Sequence, residues 1–315
     1  TVARATAEDP ADRFERVEDF LRSLRRAVGA DVVAVADPEK APRTSEATRN
    51  PYKGLRAFQE EDADNFFGRD TLIAQLIRRL SEPDAMARFL AVVGPSGSGK
   101  SSVVKAGVIP ALRQGALPGS ERWVVIEMLP SAYPLEELES ALLRATGTPV
   151  PELLTQLRQD ERGLMRAVKR ILPDEPGVEL VLVIDQFEEL FTLVEDESAR
   201  FHFLDSLMVA LGDPHSRLRA IVTLRADFYD RPLRYAEFGR VMRERTEIVL
   251  PLSPDELEQA IVNPAERSGL ALGTDLVAAI IADVSEQPGA LPLLQYTLTE
   301  LFERREGRAL TLGAY

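Results

Sequence analysis

A glycine-rich stretch that ends in a lysine and two serines is the segment of this sequence best suited to hold phosphate. An apolar run at residues 89–93 precedes it, and it reads Gly94-Pro95-Ser96-Gly97-Ser98-Gly99-Lys100-Ser101-Ser102. Glycines let successive backbone N–H groups turn toward one anion, and a helix beginning there adds partial positive charge. The pattern predicts that Lys100 reaches the β- and γ-phosphates of a nucleotide, and that the Ser101 hydroxyl is a ligand of Mg²⁺.

A carboxylate follows a second apolar run. Residues 181–184 are Val-Leu-Val-Ile and Asp185 comes directly after them, so we expect Asp185 at the carboxyl end of a buried parallel strand, in the Mg²⁺ site. Glu188 and Glu189 follow closely and are candidates to orient or deprotonate a water molecule. The alternative for these two glutamates is that they only open a solvated helix.

A third apolar run ends in Thr223-Leu224-Arg225. The guanidinium fork of arginine matches phosphate geometry, so we expect Arg225 near a γ-phosphate as a third catalytic candidate. An ion pair between Arg225 and Asp227 is an equally good interpretation.

The elements that must position these residues alternate between strands and helices. Helical patterns lie at 135–145, 152–171 and 198–211, and strands are predicted at 89–93, 123–128, 179–184, 219–224 and 247–250. This alternation predicts an α/β fold with a parallel sheet covered on both faces. After Pro254 the pattern becomes wholly helical, at 254–262, 274–284 and 291–304, which predicts a second, small helical domain.

Composition narrows the functional classes. The chain of 315 residues has a formal charge of -13, which argues against direct nucleic-acid binding because contacts to a phosphate backbone need a basic face. It has no Cys, so disulfides and thiolate metal sites are excluded, and its two His cannot build a zinc centre alone. We find no signal peptide and no apolar run of membrane-spanning length, and therefore expect no membrane association and a cytoplasmic location.

The N-terminal segment has its own pattern. Apolar residues at residues 9–28 recur at helical spacing, and this stretch resembles the last helix of a bacterial Ser/Thr protein kinase. A helix that docks on some other partner is the alternative. The proline- and threonine-containing stretch after it is predicted to be a linker.

Several motifs in order identify the chain as resembling the novel STAND NTPases, bacterial relatives of the NACHT and NB-ARC switch ATPases. Besides the glycine loop, they are Pro51-Tyr52-Lys53-Gly54-Leu55, Phe66-Phe67-Gly68-Arg69, Asp185-Gln186-Phe187-Glu188-Glu189-Leu190-Phe191, Thr223-Leu224-Arg225 and Gln287-Pro288-Gly289-Ala290-Leu291-Pro292-Leu293-Leu294. The resemblance implies a P-loop NTPase with a five-stranded parallel sheet ordered 5-1-4-3-2 and a helical lid. It also implies that Phe67, Gly68 and Arg69, together with the turn that contains Pro292, flank the adenine of ATP or ADP.

The resemblance also implies a modular protein. We expect an N-terminal helix at 1–36 that ends an upstream effector domain, a linker at 37–49, a nucleotide-binding domain at 50–252 and a helical lid at 253–315. In related proteins a winged helix and a repeat sensor follow, and the ATP state self-associates.

Three functions are compatible with these residues. The first is a signalling switch in which ATP binding and slow hydrolysis control oligomerisation and the attached effector domains. The second is a AAA-type remodelling motor, for which Arg231 and Arg234 are candidate trans-acting arginines, and the third is a scaffold that binds nucleotide only for stability. GTP is disfavoured because the chain has no [NT]-K-x-D pattern for reading guanine.

Overall fold

The computed structural model describes residues 49–84, 86–147, 150–285 and 289–315. Residues 48–315 form one unit. The predicted N-terminal helix and nearly all of the predicted linker lie outside the described residues, as do residues 286–288 of the turn that leads to Pro292.

A five-stranded parallel sheet forms the centre of the fold. Its strands are β1 Phe89–Gly94, β2 Val124–Met128, β3 Leu180–Ile184, β4 Leu218–Arg225 and β5 Thr246–Ile248. Their order in space is β2-β3-β4-β1-β5, and every neighbouring pair is parallel. This is the predicted order read from the opposite edge, so the predicted fold class is confirmed.

Helices connect the strands, as a parallel sheet requires. They are α1 Asp70–Leu80, α2 at 100–113, α3 Pro134–Thr146, α4 Leu153–Gln159, α5 Gly163–Ile171, α6 Glu189–Thr192, α7 Glu197–Gly212 and α8 Ala236–Glu244. Helix α2 is continuous but changes type, with a π-helical segment Val103–Val108 between α-helical turns. Short 3₁₀ turns lie at Glu60–Asn65, Ser120–Arg122, Ala226–Phe228 and Pro232–Arg234.

The single helix predicted at 152–171 is wrong, because the chain forms two helices there. Asp160 adopts an extended conformation that ends α4, and its carboxylate accepts a hydrogen bond from the Arg162 N–H at 2.9 Å. A Cβ built on Gly163 would lie 2.4 Å from the Gln156 carbonyl oxygen, so the glycine allows α5 to begin against the end of α4.

Alternating residues of the buried strands fill two cores. In β1, Phe89, Ala91 and Val93 pack on one face with α3, α4, α5, α7 and α8, whereas Leu90 and Val92 pack on the other with α1 and α2. All six residues of β1 and all five of β3 are buried. Burial of this kind places the carboxyl ends of both strands at one protected edge.

The chain after β5 forms a separate group of helices. They are α9 Pro254–Arg267, α10 Thr274–Ser285 and α11 Leu291–Glu303, which pack around Ile261, Leu276 and Leu298. The prediction that this region is wholly helical is wrong, since β6 Ala271–Leu272 and β7 Ala309–Leu310 form a small parallel sheet and a 3₁₀ turn follows at Leu312–Ala314. We call residues 254–315 the lid.

The lid core includes one residue from far upstream. Tyr52 is 4% exposed and packs in the lid cluster, where its hydroxyl donates to the Ile261 carbonyl oxygen at 2.8 Å. We call residues 51–58 the strap, because this segment runs between the lid and α2.

Candidate functional site

The glycine loop between β1 and α2 has the backbone that its sequence predicts. Gly97 and Gly99 have φ of +73° and +88°, a region in which only glycine is free of strain. A Cβ built on Gly97 would lie 2.9 Å from the Gly289 carbonyl oxygen and 3.2 Å from Pro292, and one built on Gly289 would lie 3.0 Å from the Ser96 carbonyl oxygen. The glycines therefore allow the loop to touch the lid.

Lys100 lies at the base of this loop. Its side chain is almost fully buried and the ammonium donates to the Pro95 carbonyl oxygen at 2.8 Å. Burial lowers the pKa of Lys100, and the nearby Glu188 carboxylate opposes that shift. An ammonium so placed has lost solvent and gains most from an incoming anion.

Ser101 and Asp185 are directly bonded. Asp185 is 5% exposed, and its Oδ1 accepts from the Ser101 hydroxyl at 2.7 Å and from the Thr223 hydroxyl at 2.6 Å. Burial raises the pKa of Asp185, but hydrogen bonds from Thr223 and Ser101 and the charge of Lys105 outweigh it, so the pKa lies below its ordinary value. The carboxylate is ionised, and the Ser101 oxygen keeps lone pairs for a cation.

Lys105 and Glu127 join this cluster, and sequence reasoning missed both. Lys105 Nζ lies 3.1 Å from Asp185 Oδ2 and 3.0 Å from Glu127 Oε2. Lys105 follows Ser101 by four residues, a helical spacing that places both side chains on one face. That spacing was the available signal for Lys105.

The side chains of the two candidate glutamates bond to the backbone near the ends of different strands. Gln186, between them and Asp185, has φ of +52° and turns the chain sharply after β3. Glu188 Oε2 accepts from the Arg225 N–H at 3.2 Å, at the end of β4, and its charge acts on Lys100. Glu189 Oε2 accepts from the Ser131 N–H at 3.3 Å, beyond the end of β2. Of the two, Glu188 is the one beside the glycine loop.

Arg225 forms the ion pair with Asp227 that the sequence allowed as an alternative to a phosphate contact. Its guanidinium pairs with the Asp227 carboxylate, with Nη2–Oδ2 at 2.6 Å and Nε–Oδ1 at 3.1 Å. The bond to Asp227 raises the pKa of Arg225. Both side chains are exposed. A phosphate that approaches Arg225 would have to compete with the Asp227 carboxylate for the guanidinium.

An apolar cavity of about 220 Å³ adjoins the glycine loop. Predicted site residues in its wall include Phe67, Arg69, Ser102, Leu291 and Pro292. The wall also includes residues that sequence reasoning did not assign, among them Leu55, Ala57, Phe58, Leu252 and Gln295. The cavity therefore lies between the strap, the loop and the lid.

Gly68 and Arg69 support the cavity through packing and backbone contacts. A Cβ built on Gly68 would lie 2.2 Å from the Glu256 carbonyl oxygen, so this glycine lets the chain approach α9. The Arg69 guanidinium donates to the carbonyl oxygens of Leu250 at 2.9 Å and Ser98 at 3.2 Å. Its donors thus brace the glycine loop against the end of β5.

Hydrogen bonds connect the strap to both neighbours. The Ser102 hydroxyl accepts from the Phe58 N–H at 3.2 Å, and the Gln295 side-chain oxygen accepts from the Lys53 N–H at 3.1 Å. Ser102, predicted to bind a cofactor, therefore already holds the strap in place.

The remaining loop residues fit a polyphosphate. A Cβ on Gly94 would lie 2.8 Å from the Ser98 hydroxyl, so the loop closes tightly on the end of β1. The Ser98 hydroxyl is buried without a hydrogen-bond partner, an orphaned donor beside the predicted cradle. Glycine N–H groups, Lys100 and this donor set suit phosphate oxygens.

The donor set for Mg²⁺ is incomplete by itself. Within residues 49–84, 86–147, 150–285 and 289–315, no three His, Asp or Glu side chains cluster as a metal site. Mg²⁺ is commonly bound by one or two protein oxygens together with substrate phosphates. Ser101 backed by Asp185 fits that mode.

The family model described as Novel STAND NTPase 1 matches residues 51–315. A structure of Drosophila ORC bound to DNA is 18% identical, with a TM-score of 0.50, over 91% of this chain and 68% of that chain. A closed-state structure of Hsp104 with ATPγS and FITC casein is 16% identical, with a TM-score of 0.53, over 81% of this chain and 41% of that chain.

These structural likenesses concern the fold alone. No curated protein matches the chain. Among the helices in the described part of the chain, none is long and apolar enough to cross a membrane.

Proposed function

This chain belongs to the novel STAND NTPase family, and on that basis we propose that it is the ATP-binding, slowly hydrolysing module of a signal-transduction switch. One observation carries the proposal. The glycine loop, the Ser101–Asp185 pair and buried Lys100 lie beside an apolar cavity whose wall includes the lid. A phosphate, a metal ion and a nucleobase could therefore be bound together beside the lid.

Each residue has a role in this proposal. The loop N–H groups of residues 96–101 and Lys100 hold the phosphates, and Ser101 is the protein ligand of Mg²⁺ with Asp185 behind it. Bound Mg²⁺ supplies charge neutralisation at the phosphate that is transferred. Glu188 orients the attacking water, because its charge acts on Lys100 beside the glycine loop, whereas Glu189 reaches Ser131 beyond the end of β2.

The apolar cavity is assigned to adenine. Phe67 and Pro292 offer flat apolar surface on the walls, and the strap closes a third side. ADP and ATP make the same contacts there, so a difference between the two states must come from the γ-phosphate.

The contact between the glycine loop and the lid supports coupling to lid position. Gly97 touches the 289–292 turn, so a phosphate that moves the loop also moves the start of α11. We extend the proposal to self-association in the ATP state, to effector domains upstream and winged-helix and sensor domains downstream in a longer bacterial protein, and to a cytoplasmic location.

Single-turnover ATP hydrolysis, with the mass of the protein measured in ATP and in ADP, tests this function. We expect slow turnover, a larger assembly in ATP, and a loss on the order of 10²-fold for Glu188→Gln with ATP binding retained. Glu189→Gln is the matched variant and should keep most of the activity. Turnover equal to wild type in both variants and in the double variant would exclude this assignment, and fast turnover by a closed ring would favour the remodelling motor.

A further inference from the structure

One cation lies between two carboxylates directly behind the proposed metal position. Lys105 Nζ bridges Asp185 Oδ2 at 3.1 Å and Glu127 Oε2 at 3.0 Å. The Lys105 and Asp185 side chains are 15% and 7% exposed. A contact so shielded from solvent is far less screened than a surface ion pair.

The chain places Lys105 there through two independent elements. Lys105 lies four residues after Ser101 on α2. It also lies in the π-helical segment Val103–Val108, and π-helical turns are rare overall but occur frequently at functional sites. Glu127 belongs to β2, and the Asp185 N–H donates to the Met128 carbonyl oxygen at 2.9 Å. One ammonium therefore spans the ends of two neighbouring strands.

Both oxygens of Asp185 are consequently in use. Oδ1 accepts from Ser101 and Thr223, and Oδ2 faces Lys105. A carboxylate that enters the coordination shell of Mg²⁺ must turn an oxygen toward the ion. Here that turn would break at least one bond to a neutral donor or the ion pair with Lys105.

We propose that Lys105 is a positioning residue that keeps Asp185 out of direct contact with Mg²⁺ and thereby weakens Mg²⁺ binding by the nucleotide complex. This inference rests on the proposed function of the glycine loop. The positive charge of Lys105 opposes the cation, and its bond holds the carboxylate that would otherwise approach it. A weaker hold on Mg²⁺ makes the bound state of the module depend on the Mg²⁺ concentration around it.

Binding of a fluorescent ATP analogue, titrated with Mg²⁺, tests this without relying on hydrolysis. Lys105→Met keeps the length of the side chain but removes its charge, and should lower the half-saturating Mg²⁺ concentration about tenfold. Lys105→Arg should remain near wild type, since a cation is restored. Lys169→Met removes the same charge from an exposed position on α5 and should change nothing.

Glu127→Gln is a second variant, for which we expect the half-saturating Mg²⁺ concentration to change in the opposite direction. Without the Glu127 charge, Lys105 pairs with Asp185 alone, so the half-saturating Mg²⁺ concentration should rise. An unchanged or higher Mg²⁺ requirement in Lys105→Met would overturn the inference, as would equal shifts in one direction for both variants. If Lys105→Met does not fold, the inference is overturned when the half-saturating Mg²⁺ concentration of Glu127→Gln is equal to or lower than that of wild type.

The two proposals fail in different ways. If wild-type protein binds the analogue no better than Lys100→Ala at any Mg²⁺ concentration, the proposed function fails and takes this inference with it. If wild type binds with Mg²⁺ dependence and Lys105→Met shows the same dependence, only the role of Lys105 is wrong.

Discussion

The proposed nucleotide site has two halves that are built in opposite ways, one assigned to phosphate and the other to the nucleobase. The phosphate half comes from the loop after β1 and from the ends of β3 and β4, neighbouring strands whose hydrogen-bonded register fixes Asp185 and Thr223. The base half comes from the strap, residues 66–69 and the lid, and one of its contacts joins residues 242 positions apart. The first half is part of the sheet, whereas the second is assembled around it.

Because of this difference, we expect one half to determine nucleotide affinity and the other to couple bound nucleotide to the lid. The phosphate half is polar, Lys100 and Asp185 are buried in it, and bonds shorter than 3 Å join Ser101 and Thr223 to Asp185. The base half is apolar and includes the lid, whose own core is separate from the two cores of the sheet. We therefore expect the phosphate half to supply most of the binding energy, and the base half to connect bound nucleotide to lid position.

A large effect on nucleotide affinity is expected where the two halves touch. Gly97→Ala adds a Cβ 2.9 Å from the Gly289 carbonyl oxygen at a φ of +73°. Strain and overlap of about 2–4 kcal/mol should distort the loop or push the lid turn away. We expect nucleotide affinity, measured by calorimetry, to fall on the order of 10²-fold.

Gly147→Ala is the matched control. Its φ is +62° and nothing lies within 4 Å of the added Cβ, so it carries strain without overlap. A loss of affinity in Gly147→Ala as large as in Gly97→Ala would mean that the contact between loop and lid does not matter.

A smaller effect, confined to the base half, is expected from Tyr52→Phe. The Ile261 carbonyl oxygen would lose the hydrogen bond from Tyr52, at a cost of about 1–2 kcal/mol and a fall in the thermal midpoint of about 2–6 °C. Tyr133→Phe, at an exposed tyrosine, should change stability by less than about 0.5 kcal/mol. Equal midpoints for wild type and Tyr52→Phe would show that the strap does not hold the lid.

The smallest effect is expected from Arg225→Ala. Its pair with Asp227 is exposed, so stability should stay within about 0.5 kcal/mol. The preference for ATP over ADP, measured as a ratio of dissociation constants, should fall about three- to fivefold, because Arg225 must first leave Asp227 to meet a γ-phosphate. Arg240→Ala, an exposed arginine on α8, is the control. An unchanged ratio in Arg225→Ala would remove this residue from the phosphate half.

The phosphate half could be predicted from the sequence because its signals are local. Apolar runs ending in Gly94, Asp185 and Arg225 mark strands whose carboxyl ends share an edge, and the sheet order followed from the family resemblance. Helix α8 was missed, since its apolar face is short and Gly239 interrupts it. That glycine is required by packing, because a Cβ there would lie 3.0 Å from Leu233.

The base half could be predicted only in part. Phe67 and Pro292 were predicted by resemblance and both line the cavity, but the strap side of the cavity depends on tertiary contacts with no local signature. Leu55, Phe58 and Gln295 are ordinary residues in sequence. They meet because Tyr52 and the hydrogen bonds of the strap to α2 and to the lid hold the strap in place. Arg225 illustrates the same limit, since its type allowed a phosphate contact or an ion pair and only the structure shows the pair with Asp227.

Calorimetric titration of Mg·ATP into wild-type protein and Lys100→Ala tests most directly the claim that the phosphate half supplies the binding energy. Lys100 is buried at the base of the loop, and the bonds that we propose it makes to phosphate would be charge-assisted. We expect binding to wild type and to the control Lys169→Ala, and a loss on the order of 10²-fold or more in Lys100→Ala. Equal affinity of Lys100→Ala and wild type for Mg·ATP would contradict the claim.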